Sequence, residues 1–82
     1  SNFEHILKLH VDYIKIDGSL IKNIDKNDRH KIIVEKIVEF SKKIGAKTIA
    51  EFVVDEAVFN MVQKIGVDFS QGYYTGKPTK IL

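Results

Sequence analysis

The 82 residues contain no cysteine, which excludes a disulfide framework and thiolate coordination of a metal. No apolar run approaches the roughly 18 residues that a membrane-spanning helix requires, and nothing resembles a secretory leader. Arginine occurs once, as Arg29, and the lysines behind the net charge of +2 are interleaved with acidic residues. Recognition of a nucleic-acid polymer needs clustered Arg and Lys with stacking aromatics, so that class is set aside. His5, His10 and His30 have neither the spacing nor the acidic or thiol company of a zinc site. Lys77, in Gly76-Lys77-Pro78, lacks the glycine spacing of a phosphate-binding loop. What is present is 44% apolar and 29% charged, the balance of a soluble globular segment, for which a cytoplasmic setting is expected.

The apolar pattern alternates between two periods. Residues 3–8 read as the end of a helix without its start. Over residues 11–17 the period is two, with Ile14 and Ile16 on one face and Tyr13, Lys15 and Asp17 on the other, which predicts a strand. Residues 20–26 connect it to a helix over about 28–44, capped by Asn27 or Asp25 and closed by Gly45. Ile33, Ile37, Phe40 and Ile44 are its expected buried stripe, with Glu35, Lys36, Glu39, Lys42 and Lys43 in water. Residues 47–53 predict a second strand. Asp55 is placed to cap the helix that follows, which buries Val58, Phe59, Val62 and Ile65 and stops at Gly66. Residues 67–71 predict a third strand, followed by a glycine- and aromatic-rich turn. Strand and helix in alternation imply parallel strands joined by right-handed crossovers, an α/β arrangement. A complete α/β barrel needs roughly 250 residues, so these residues read as part of a larger domain.

Lys15, Glu51 and Gln71 each stand near the end of a short apolar run. Strand ends are where an α/β barrel keeps its chemistry, because strands fix positions and the loops beyond admit substrate. A buried lysine at such a place needs an anion. Lys15 therefore reads either as a structural ion pair with Asp17 or Glu51, or as a ligand for phosphate or water. Glu51 reads as a loop-anchoring acceptor or a site carboxylate. In Gln71-Gly72-Tyr73-Tyr74 a neutral amide precedes a glycine that permits close backbone approach and two aromatics that can pack or cover a base.

Three segments taken together, Asp12-Tyr13-Ile14-Lys15-Ile16-Asp17-Gly18-Ser19, Ala50-Glu51-Phe52-Val53 and Gln71-Gly72-Tyr73-Tyr74-Thr75-Gly76-Lys77-Pro78, closely resemble the C-terminal part of the EAL-domain family. The resemblance implies the last three strands of a barrel related to the TIM fold, residues 1–82 being the C-terminal fragment of a single such domain. It implies a parent that hydrolyses the bacterial second messenger cyclic di-GMP to pGpG with two Mg²⁺ or Mn²⁺ ions. By the same resemblance Lys15, Glu51 and Gln71 are the catalytic residues, with Glu51 also a candidate metal ligand, Asp17 supporting them from behind and Tyr73 touching substrate. Phe52 and Val54 depart from it, standing where family members commonly carry a glycine and a second glutamate. The metal carboxylates of the family precede this segment, so the 82 residues alone are expected to be inactive. The alternative is a degenerate EAL domain that binds cyclic di-GMP as a receptor or serves as an interaction module. Two open sheet edges predict self-association, and the parent is compatible with membrane tethering.

Overall fold

The computed structural model describes residues 11–72 and 75–81. The segment expected to be a helix end, residues 3–8, and the candidate substrate contact Tyr73 lie outside them. The elements are β1 (Tyr13–Ile16), α1 (Gly18–Ile21), a single tight turn at Ile24–Lys26, α2 (Asp28–Lys43), β2 (Lys47–Val53), α3 (Glu56–Ile65), β3 (Phe69–Gly72) and β4 (Thr75–Lys80). They build a four-stranded sheet in the order β1-β2-β3-β4. The pairs β1/β2 and β2/β3 are parallel, and β3/β4 is antiparallel.

The helix ends follow from their caps. Asn27, rather than Asp25, closes the start of α2 by accepting the His30 backbone N–H at 3.1 Å, and Asp55 accepts that of Val58 at 2.8 Å for α3. Each satisfies an amide that the first helical turn leaves without a partner. Gly66 takes the left-handed conformation (φ 101°) that ends α3.

One side of the sheet carries the core. Ile16 and Ala50 face it from β1 and β2, and Ile21, Ile24, Val34, Val38, Val58, Val62 and Val67 meet them from the helices and connections. The buried stripe of α2 is Val34, Val38 and Ser41, whereas Ile33, Phe40 and Ile44 are exposed, with Ile37 between the two. The expected stripe is thus turned by one residue. The helix carries two apolar flanks, and the smaller side chains let it approach the sheet closely. Ser41 enters that layer because its hydroxyl donates to the Ile37 carbonyl at 2.7 Å, leaving no orphan group. The larger flank instead borders a cleft along the open edge of β1, with Ile14 and Leu20 opposite Ile32, Ile33 and Phe40.

β4 is a second departure, since residues 75–80 read as turn and loop exit. Pairing Phe69 with Lys80 and Ser70 with Thr79, it covers the edge of β3, so among the described residues the outer strands are β1 and β4 rather than β1 and β3. Pro78 is compatible with a strand here because β4 is an edge. Among the described residues no helix is long and apolar enough to cross a membrane.

At the opposite end from the site, Asp68 ties the strands together. Its carboxylate accepts the Thr48 backbone N–H at 2.9 Å and the Thr48 hydroxyl at 3.3 Å, while the Asp68 N–H approaches the same hydroxyl oxygen at 3.2 Å. Its carbonyl accepts from Ile81 at 2.8 Å. Thr48 is buried, so removing the carboxylate strands an amide away from water. Asp68→Ala should destabilise the fold by about 1–3 kcal/mol, and Asp68→Asn, which keeps an oxygen acceptor, by clearly less. Urea unfolding of the two variants checks this, and equal losses would remove the acceptor as the cause.

Candidate active site at the strand ends

The register lays the sequence-predicted residues out in rows. Lys15 pairs with Ile49 and Ile49 with Phe69, so these three share one face and one level of the sheet. Ile16, Ala50 and Ser70 form the next row, pointing the other way. Two residues on from Ile49 and Phe69, Glu51 and Gln71 return to the face of Lys15, one level nearer the C-terminal ends of the strands. Below them the face is apolar. The Tyr13 and Phe69 rings meet edge-on with centroids 6.0 Å apart, beside Ile49 and Pro78. The face is therefore apolar at its base and polar at its rim, the arrangement of a barrel interior below an active site.

The rim is irregular in one place. Ala50 pairs with Ser70 and Val53 with Gly72, so two residues, Glu51 and Phe52, lie opposite the single residue Gln71. This is a β-bulge, a device that re-aims side chains at strand ends. Phe52 takes φ 68°, the left-handed region, which a residue with a Cβ enters at about 1–2 kcal/mol. Gly72 is required alongside it, because a Cβ there would lie 1.8 Å from the Val53 carbonyl oxygen.

Glu51 is half-buried and borders two clefts. One, of about 430 Å³, it shares with Gln71, Phe52, Val54 and Gly72. The other, of about 360 Å³, it shares with Asp17, Gly18, Ser19, Lys22 and Phe52. The structure thus brings Glu51 together with Gln71 on one side and with Asp17 on the other. Lys15 borders neither of these two clefts. It is exposed, borders the cleft along the β1 edge, and among the described residues makes no ion pair with Asp17 or Glu51. The structural-pair reading of Lys15 falls away, since an ammonium in water needs no buried anion.

Asp17 serves its own loop. Its carboxylate accepts the Ser19 backbone N–H at 2.9 Å and also the Ser19 hydroxyl, capping α1. The Ser19 hydroxyl, then its backbone N–H, hold the Asp17 carboxyl below the usual carboxylate range. This cap sets the turn that follows β1. In the sequence Phe52 stands out only as a departure from the resemblance. Its backbone conformation carries a signal there only through the glycine expected at that position. Asp68 has no such signal, since Val67-Asp68-Phe69 reads as ordinary strand.

A family model for the EAL domain matches residues 1–78. The chain belongs to the EAL-domain family. It is 36% identical over 78 residues to the cyclic di-GMP phosphodiesterase PdeB of Shewanella oneidensis, covering 95% of this chain and 9% of that protein. To the cyclic di-GMP phosphodiesterase PdeA of Borreliella burgdorferi it is 32% identical over 81 residues, covering 99% and 12%. This EAL segment therefore spans about a tenth of the length of these relatives. Among solved structures it is similar to a standalone EAL protein of Vibrio cholerae in its c-di-GMP-bound form, at 27% identity and a TM-score of 0.79, over 89% of this chain and 31% of that one. An EAL domain protein of Listeria monocytogenes is similar at 29% identity and a TM-score of 0.78, over 98% and 32%. The mostly parallel sheet with its bulged rim is accordingly part of an EAL barrel.

The depressed Asp17 value has a testable consequence. A carboxyl whose folded value is lowered contributes stability that is present above its unfolded value and lost as pH falls through the folded one. Asp17 should titrate below an unstructured aspartate in carbon-detected NMR, and Ser19→Ala, which leaves the backbone N–H in place, should move it part of the way back up and reduce the acid-dependent contribution. An Asp17 midpoint unchanged by Ser19→Ala would exclude the serine hydroxyl as a cause.

Proposed function

We propose that these residues are the C-terminal part of a single EAL domain whose protein hydrolyses one phosphodiester linkage of cyclic di-GMP to give pGpG. The observation that carries this reading is the placement of Lys15, Glu51 and Gln71 on one face of a parallel sheet, at and just below the C-terminal strand ends. The resemblance to phosphodiesterases of this substrate supports it. Lys15, exposed and unpaired among the described residues, offers an ammonium to the phosphoryl oxygens, whose charge grows as water attacks. Glu51 accepts a hydrogen bond from that water or gives one oxygen to a divalent cation. The Gln71 amide orients the same water, and Asp17 holds the turn beside them.

Divalent Mg²⁺ or Mn²⁺ would supply the hydroxide and neutralise phosphoryl charge in such a reaction. Among the described residues there is no group of three or more His, Cys, Asp or Glu able to hold a metal ion, and Glu51 alone cannot satisfy an ion that takes about six oxygens. The remaining ligands would come from other parts of the barrel.

A second reading rests on Phe52 and Val54, which stand in place of a glycine and a carboxylate at the rim. With that carboxylate replaced, the protein would hold cyclic di-GMP without cutting it. Calorimetric titration of the full-length protein with cyclic di-GMP, followed by chromatography for pGpG, separates the readings. Binding with metal-dependent product supports the enzyme, binding without product supports the receptor, and no binding removes both.

For the enzyme, Lys15→Ala and Glu51→Gln in the full-length protein should each lower turnover by about a hundredfold or more while leaving the thermal midpoint close to that of the parent, because neither side chain is in the core. Near-parental turnover in both variants would take them off the catalytic list.

A further inference from the structure

Phe52 is out of place by two measures. Its backbone stands in the left-handed region at φ 68°, and the residue is 55% exposed, so it is not held there by core packing. Strained residues of this kind persist where surrounding contacts over-determine them, and they gather at functional sites. One such contact is visible. A Cβ added to Gly18 would lie 2.9 Å from the Phe52 Cβ and 3.3 Å from its Cγ. The base of the aromatic side chain therefore rests on the bare backbone of Gly18, inside the turn that Asp17 and Ser19 close. The first atoms of a side chain cannot swing aside as a flexible tip can, so this contact exists only because residue 18 has no Cβ.

Two strand ends are joined by it. Gly18 follows β1, which carries Lys15, and Phe52 follows Glu51 within the bulge of β2. Phe52 borders both clefts that Glu51 borders. We propose that Phe52 is a positioning residue for Glu51: seated on Gly18, it latches the bulged end of β2 to the turn after β1 and fixes where the Glu51 carboxylate stands between the two clefts. The proposal rests on the reading of Glu51 as part of a cyclic di-GMP site, and its test separates the two.

The test is a double-mutant cycle of Gly18→Ala and Phe52→Gly in the full-length protein, read by cyclic di-GMP affinity well below the unfolding range and by the ¹³C resonance of the Glu51 carboxylate. If the latch operates, Gly18→Ala weakens affinity at least tenfold and moves the Glu51 resonance when Phe52 is present, and does neither when residue 52 is glycine. Phe52→Ala, which removes the ring without filling Gly18, should weaken affinity at least fivefold and move the same resonance, so the proposal stays open to refutation even if Gly18→Ala does not fold. Equal effects of Gly18→Ala in both backgrounds would overturn the latch. So would a lowered thermal midpoint with affinity and resonance unchanged, which is the mark of packing alone. A folded parent that binds no cyclic di-GMP, yet shows the coupling in the Glu51 resonance, refutes the functional reading and supports the positioning of Glu51.

Discussion

Everything at the rim depends on the parallel register of β1 with β2. Ile16 and Ala50 sit side by side in that register and are almost fully removed from water. A slip of β1 by one residue would turn Ile16 outward and bring Lys15 into the apolar layer beneath the helices, so burial alone selects one pairing. Lys15 stands level with Ile49 as a result, and Glu51 emerges one step above. Asp68 anchors the far ends of β2, β3 and β4 through Thr48 and Ile81. Geometry at the C-terminal strand ends is thus set by contacts on the opposite face and at the opposite end of the sheet.

Much of this was legible in the residues. The limits of β2 and α3, the caps Asn27 and Asp55, the stop at Gly66 and the family itself follow from local patterns whose physical causes are local: a side chain meeting an amide one turn away, or a period of two. The buried face of α2 was not. Both flanks are apolar, and the choice between them is made by how closely Val34, Val38 and Ser41 let the helix approach the sheet, a property of two surfaces rather than one. β4 was missed because glycine and proline normally interrupt strands, and an edge position that excuses them is a fact of topology. Likewise Asp68 is silent until Thr48 is folded against it.

The bulge at Glu51 and Phe52 puts a bulky residue into a backbone conformation that glycine adopts most readily. Glycine would adopt φ 68° without strain; phenylalanine adopts it against steric resistance and meets Gly18 in doing so. That a bulky residue stands there at all is explained most economically by a contact that needs it. Val54, two residues on, lines the cleft of Gln71 and a neighbouring one.

The mixed sheet also sets an order of assembly. β3 and β4 are antiparallel and adjacent in sequence, so they can pair as a local hairpin within microseconds. The pairing of Tyr13 with Lys47 must wait for the chain through α1 and α2 to be gathered in, and long loop closures of that kind dominate folding rates. Gln71 is therefore held in ordered structure early, whereas Lys15 takes its level beside Ile49 only when the slow parallel crossover completes. A chain with only the hairpin formed would have the Gln71 strand end in place while β1 is still unpaired, so in a refolding experiment the pairing of β1 would trail that of β3 with β4.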